Sequence, residues 1–306
     1  MTPHHRQGIY SPVLTPFKAD LSPDIPEFVR HCQWLLGQEV GLAVFGTNSE
    51  ANSLSVGERK ELLDALLESG APPARLLPGT GCCALTDTVE LTRHAAAAGV
   101  GGVLMLPPFY YKGVSDDGLF RSYAQVIERV GDSRLRVYLY HIPPVAQVSI
   151  SLPLIERLLK AYPGTIAGIK DSSGEWSNTE AMQRAFGAEG FDVFAGSEVF
   201  LLRTLRAGGA GCITATGNVN PAPMVDLYNS WREEGADAQQ AALDATRAIF
   251  QQHSMIPAMK TAVARFSGVD SWRTLRPPLT ALSAAQESAL AQALDNHGFE
   301  MQGVNA

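Results

Sequence analysis

The stretch GTIAGIKDSSG, residues 164–174, decides how the chain is read. Ile166, Ala167, Gly168 and Ile169 leave no polar face, and helix-period sequence begins near residue 176. A short run that is apolar on both faces marks a parallel strand covered by helices on each side. The same alternation continues outward in both directions. Upstream, GIYSPVLTPF (8–17) precedes a helical pattern near 24–38, and GLAVFGT (41–47) precedes a helix opening at Ser55, where Ser-Val-Gly-Glu forms a capping box. RLLPGT (75–80), GGVLMLPP (101–108) and LRVYLYHIPP (135–144) precede helices near 84–98, 116–130 and 151–161. The helix after the opening stretch spans about 176–187. Downstream, FDVFAGS (191–197) and GAGCITATGN (209–218) precede helices near 198–207 and 221–234.

Eight such units within residues 1–235 predict an α/β fold, a (β/α)8 TIM barrel. A doubly wound open sheet would need a glycine-rich phosphate turn after its first strand, and TPFKADLS is not one. From 236 to 306 the pattern is purely helical: DAQQAALDATRAIFQQH, IPAMKTAVARFSG, LSAAQESALAQALDNHG. It predicts a C-terminal helical extension packed on the barrel.

The 306 residues are 45% hydrophobic, enough for one large core. A net charge of −7 without a basic run argues against nucleic acid and anionic membrane surfaces as partners. Neither an apolar leader nor an 18-residue apolar run is present, so a soluble, cytoplasmic protein is expected. The cysteines Cys32, Cys82, Cys83 and Cys212 lack CxxC spacing, which predicts reduced thiols and no metal site. The adjacent Cys82 and Cys83 read as small-residue packing, and His4 and His5 as solvated terminal residues.

A parallel barrel carries its chemistry at the C-terminal ends of its strands. Those ends here are GTNSE (46–50), PPFYYKG (107–113), LYHIPP (139–144) and GIKDSSG (168–174). Strand alternation puts Ile166, Gly168 and Lys170 on one face, and likewise Tyr138 and Tyr140. If that face is the lumen, Tyr140 and Lys170 meet across neighbouring strands about 5 Å apart, and Gly168 leaves space beside the lysine stem. His141, of opposite parity, is expected to face a helix. A lone strand-end lysine ordinarily snorkels into water, and a strand-end tyrosine is ordinarily a core residue with one wet edge. Held dry, however, an amine is favoured in its neutral form and can condense with a carbonyl to a Schiff base. A phenol within reach can shuttle the proton. The GTNSE turn offers hydroxyls and backbone N–H groups to a carboxylate. Glu50 reads as the partner of a nearby N–H or cation. RAGGAG (206–211) precedes a strand rather than a helix and reads as a turn.

Together, SPVLTPF, GTNSE, FYYKG, YHIPP, GIKDSSG and RPPLTALS (276–283) resemble the dihydrodipicolinate synthase / N-acetylneuraminate lyase family, the pyruvate-type class I aldolases, across nearly the whole chain. The resemblance implies that Lys170 is the Schiff-base lysine and Tyr140 the proton donor and acceptor. It implies that Thr47 passes protons between Tyr140 and Tyr111, the latter reaching into a neighbouring subunit's site. It places carboxylate binding at Asn48, with the Ser49 backbone nearby, and a pocket wall at Ile213. A homo-oligomer, a dimer of dimers, is implied, with a small 2-oxo acid as substrate and no metal or organic cofactor. Two departures stand out. GTNSE replaces the family's GTTGE or GSTGE, so Ser49 takes a glycine position. Val145 stands where dihydrodipicolinate synthases carry an arginine that grips the aldehyde's carboxylate. The chain is therefore expected nearer the 4-hydroxy-2-oxoglutarate aldolase branch. The expected reaction releases pyruvate, or a related 2-oxo acid, from a 4-hydroxy-2-oxo acid. Alternatives are a 2-keto-3-deoxy sugar-acid dehydratase or dihydrodipicolinate synthase using the same iminium, and a non-catalytic oxo-acid sensor.

Overall fold

Seven of the eight expected strands are strands in the computed structural model, which describes residues 6–305: β1 (Gly8–Ser11), β2 (Gly41–Leu42), β3 (Val103–Met105), β4 (Val137–His141), β5 (Ile166–Asp171), β6 (Asp192–Ala195) and β7 (Gly211–Ile213). His4 and His5 lie outside the described residues. The remaining stretch, RLLPGT, pairs only through a bridge between Gly79 and Leu104. Thr80 N donates to Leu104 O at 3.1 Å, and Leu104 N donates to Pro78 O at 2.9 Å. Pro78 has no N–H to give a ladder, so the pairing does not extend through it.

The described residues form two compact units, one of Pro72–Thr214 with residues 6–8, the other of Ile9–Ala71 with residues 215–305. In the first unit β3 to β7 lie side by side in sequence order, all parallel. Helices Leu85–Ala97, Asp116–Val130, Leu152–Ala161, Trp176–Phe186 and Leu201–Arg206 alternate with them. Ser115 and Ser151 open two of these, each hydroxyl accepting from an N–H three residues on. All five residues of β4 are buried, as a strand covered on both faces requires.

Register assigns Gly168 a different purpose from the one expected. Tyr138 is its partner across β4 and β5. A Cβ at Gly168 would lie 2.7 Å from the Tyr138 ring and 2.3 Å from Asp192 O. The Tyr138 ring and the Asp192 carbonyl therefore take up the space a side chain at Gly168 would need. Tyr138 Oη donates to Asp192 Oδ2 at 2.9 Å, and the same oxygen accepts from Arg6 N at 2.8 Å.

In the second unit β1 and β2 pair in parallel, Tyr10 opposite Gly41 and Ser11 opposite Leu42. The capping box at Ser55 forms as its spacing predicts, Ser55 Oγ accepting from Glu58 N and Glu58 Oε2 accepting from Ser55 N. The C-terminal region is helical at Ala236–Gln251, Met255–Ser267 and Ala284–His297. Its apolar faces share one core with Leu14, including Phe250, Met259, Val263, Trp272, Leu290 and Leu294. Among the described residues, no helix is long and apolar enough to cross a membrane.

Candidate active site

Lys170 and Tyr140 are direct register partners near the C-terminal ends of β5 and β4. Their side chains leave the sheet on the same side, and Lys170 Nζ lies 4.4 Å from the centre of the Tyr140 ring. The lysine is 2% exposed and the tyrosine 3%. No carboxylate pairs with Lys170 among the described residues. A buried amine without a counter-charge is the setting in which lysine acts as a nucleophile rather than as half of an ion pair.

The next residue shows how the strand end is held. Asp171 points the other way and accepts from Thr179 Oγ1 at 2.6 Å, Ser173 N at 3.0 Å and Ser173 Oγ at 3.1 Å. These bonds fold the DSSG segment back onto the start of the following helix. His141 lies on the same side, its Nδ1 accepting from Ile150 N at 3.0 Å and its Nε2 standing 3.9 Å from Asp171 Oδ1. Burial lowers the His141 pKa, opposed by the Asp171 charge. Asp171 and His141 thus brace the helix-facing side, while Lys170 and Tyr140 occupy the opposite one.

Ile213 is the last residue of β7 and fully buried. Beside it in sequence, Thr214 donates through Oγ1 to the buried Glu198 carboxylate and accepts from Glu198 N. Tyr111 and Val145 are exposed, at 73% and 61%. Tyr111 packs edge-on against Tyr110, also 73% exposed, with centroids 5.3 Å apart. Lys112 ties their segment to the turn carrying Val145 by donating to Phe109 O and Ala146 O. Cys82, half-buried, and Cys83, exposed, are not joined in a disulfide.

In the second unit Thr47, Asn48 and Ser49 form a tight turn beyond β2. Ser49 N and Ala51 N both donate to Gly46 O, Glu50 N donates to Thr47 O, and Ser49 Oγ accepts from Gly46 N. The turn begins after Phe45 and ends at Glu50, whose φ angles are 61° and 56°. A non-glycine residue in that left-handed region costs about 1–2 kcal/mol, so the turn is held rather than merely permitted. Ser49 and Glu50 are buried, while Thr47 and Asn48 are half-buried. Ser49 tolerates its Cβ because the positive φ angles of the turn fall on Phe45 and Glu50 and not on it, and its hydroxyl bonds Gly46 N.

What holds the turn is Lys260, which sequence reasoning missed. Its ammonium is fully buried and donates to Glu50 Oε1 at 2.7 Å and to Thr15 O at 2.8 Å. Glu50 is thus the partner of a cation. Burial lowers the Lys260 pKa, and Glu50 opposes that. Lys260 sits in IPAMKTAVARF, a helix buried on nearly every side. A lysine there must be paired, and that was the signal available.

Comparison with known proteins gives one family, described as the dihydrodipicolinate synthetase family, whose sequence pattern matches residues 5–297. An uncharacterised DapA-like lyase of Chloroflexus aurantiacus is 33% identical, covering 94% of this chain and 96% of that protein. The crystal structure of dihydrodipicolinate synthase from Agrobacterium tumefaciens superposes with a TM-score of 0.86 at 30% identity, covering 95% of this chain and 99% of that one. YagE from E. coli K12, a prophage protein of the dihydrodipicolinic acid synthase family solved with pyruvate, gives 0.87 at 28% identity, covering 96% and 99%. The fold class is accordingly the α/β (β/α)8 barrel with a helical C-terminal region.

Proposed function

Because the chain belongs to the dihydrodipicolinate synthetase family and is a class I Schiff-base lyase by that membership, we propose that it cleaves, or forms by condensation, a 4-hydroxy-2-oxo acid through an iminium on Lys170. The observation that carries this reading is the pairing of Lys170 with Tyr140, both buried, the amine facing the ring and no carboxylate neutralising it. Lys170 Nζ attacks the C2 carbonyl and water leaves. Tyr140 takes the proton from the C4 hydroxyl, the C3–C4 bond breaks, and its electrons flow into the iminium as an enamine. Protonation at C3 and hydrolysis release pyruvate and free the amine. Thr47 relays the proton, and Asn48 with the Ser49 backbone receives the substrate carboxylate. Asn48 makes no hydrogen bond to the rest of the described chain, which suits an amide kept for a ligand. Ile213 forms part of the wall.

Val145 bears on the rest of the substrate. Valine offers no bidentate grip to a second carboxylate, which supports a distal half less charged than that of the synthases. A second reading, dihydrodipicolinate synthesis, is supported by the activity named for the Agrobacterium relative. Product analysis separates them: the aldolase releases pyruvate from 4-hydroxy-2-oxo acids, and the synthase consumes pyruvate with aspartate semialdehyde. In this reading residues 1–235 form the catalytic barrel, 236–306 its helical extension, and the enzyme works in the cytoplasm.

The test is reductive trapping. Pyruvate with borohydride is expected to leave one stable adduct, mapped by peptide mass to Lys170. An adduct at another lysine, or none, overturns the assignment.

The exposed Tyr110–Tyr111 pair supports a homo-oligomer in which a second copy covers these rings and Tyr111 enters its site, within a dimer of dimers. Exposed aromatic pairs of this kind mark association surfaces. Tyr111→Arg is expected to shift the protein to a smaller species in sedimentation and to lower turnover at least tenfold. An unchanged sedimentation coefficient removes that surface from the assembly.

A further inference from the structure

The buried ion pair between Lys260 and Glu50 has no part in the chemistry just described, yet it is the only buried lysine–carboxylate pair within 4 Å among the described residues. Two charges taken fully out of water are costly, and an apolar pair of like size would hold a fold as well. Its position shows a narrower use. From Lys260 two routes lead to the Gly46–Glu50 turn. One runs directly to Glu50 Oε1, at 2.7 Å. The other runs to Thr15 O at 2.8 Å, and Thr15 Oγ1 in turn donates to Ser49 O at 2.8 Å. Glu50 is gripped on its other oxygen by Arg276 N at 3.2 Å, and the Arg276 guanidinium is anchored on Glu58 and Ser53 O. Every one of these tethers meets the turn at Ser49 or Glu50, its buried end. None reaches Asn48.

We infer that Lys260 is a positioning residue that fixes the Thr47–Asn48–Ser49 turn in its left-handed-flanked form, so that Asn48 and the Ser49 backbone present to a 2-oxo acid carboxylate without reorganisation. The inference rests on the reading in which this turn binds the substrate carboxylate. A turn entered and left through non-glycine residues at positive φ relaxes when its tether is cut. Relaxation moves the groups that receive the carboxylate and leaves the Lys170 amine and Tyr140 as they are. The cost therefore falls on substrate capture more than on turnover of bound substrate.

The variants are Lys260→Met/Glu50→Gln, which removes both charges together, and Thr15→Val, which removes only the bond to Ser49 O. Each is measured by the pyruvate concentration giving half-maximal borohydride trapping at Lys170, beside its thermal melting temperature. The double variant is expected to reach full trapping at saturating pyruvate, with the half-saturating concentration raised at least tenfold, or about 1.4 kcal/mol. Thr15→Val is expected to raise it roughly threefold while staying folded, so the test stands even if the double variant does not fold. Variants that melt lower but keep wild-type half-saturation overturn the inference and leave the proposed reaction intact. Wild-type protein that traps no pyruvate overturns both.

Discussion

Lys170→Ala is expected to leave a folded protein that traps no pyruvate with borohydride and turns over on the order of 10^4 to 10^6 times more slowly. The effect is large because the amine is both nucleophile and electron sink, and nothing nearby replaces it. The other fully buried lysine, Lys260, is committed to Glu50 and Thr15. Folding is expected to survive because Lys170 has no carboxylate to orphan, so its removal strands no buried charge. Tyr140→Phe separates the two roles. It keeps the ring that faces the amine and removes the phenol, so the adduct still forms while turnover falls on the order of 10^2 to 10^4-fold. Circular dichroism checks folding, trapping checks imine formation, and pyruvate release checks cleavage. If Lys170→Ala still traps, the nucleophile lies elsewhere. If Tyr140→Phe cleaves at the wild-type rate, the phenol is not the shuttle.

Much of this architecture was open to inspection in the sequence because it rests on local periodicity. The apolar run ending at Lys170, the helix after it and the capping box at Ser55 each follow from residues within a few positions of one another. RLLPGT shows the limit of that logic: its composition is strand-like, but Pro78 removes the donor that a ladder needs. Features that depend on distant partners were hidden. The role of Gly168 is visible only once register sets it against Tyr138. Lys260 meets a carboxylate 210 residues away, and no spacing rule links GTNSE to a helix near the C-terminus. The exposure of Tyr110 and Tyr111 was equally hidden, since an aromatic pair in a loop reads the same whether buried or presented.

Acidification gives the second large effect, through His31. The side chain lies in helix Ile25–Gly37, 1% exposed, stacked on Trp34 at 5.4 Å between centroids and edge-on to Trp272 at 4.9 Å. Burial pulls its pKa down from 6.5 to about 3, against an opposing interaction with the Asn218 side chain, and the neighbouring Arg30 charge adds a smaller push downward. Between those values the unfolded chain binds a proton at this residue and the folded chain does not. Stability therefore rises with pH across that window, is complete above about 6.5, and drains away as the pH falls. The loss amounts to roughly 4 kcal/mol by pH 3, with about 2 kcal/mol gone at pH 5. A loss of that size is a large share of a folded protein's roughly 5–15 kcal/mol. His141, also lowered by burial, contributes in the same sense, so the informative quantity is a difference. Urea unfolding from pH 7 to pH 4 is expected to show the wild type losing stability faster than His31→Phe, which keeps an aromatic ring against Trp34 and Trp272 and has nothing to protonate. The variant starts lower at pH 7 if the larger ring strains the site, and the two curves converge or cross on acidification. Parallel curves would mean that the imidazole is protonated alike in the folded and unfolded chains, and that the aromatic cluster around it is wetter than its geometry implies.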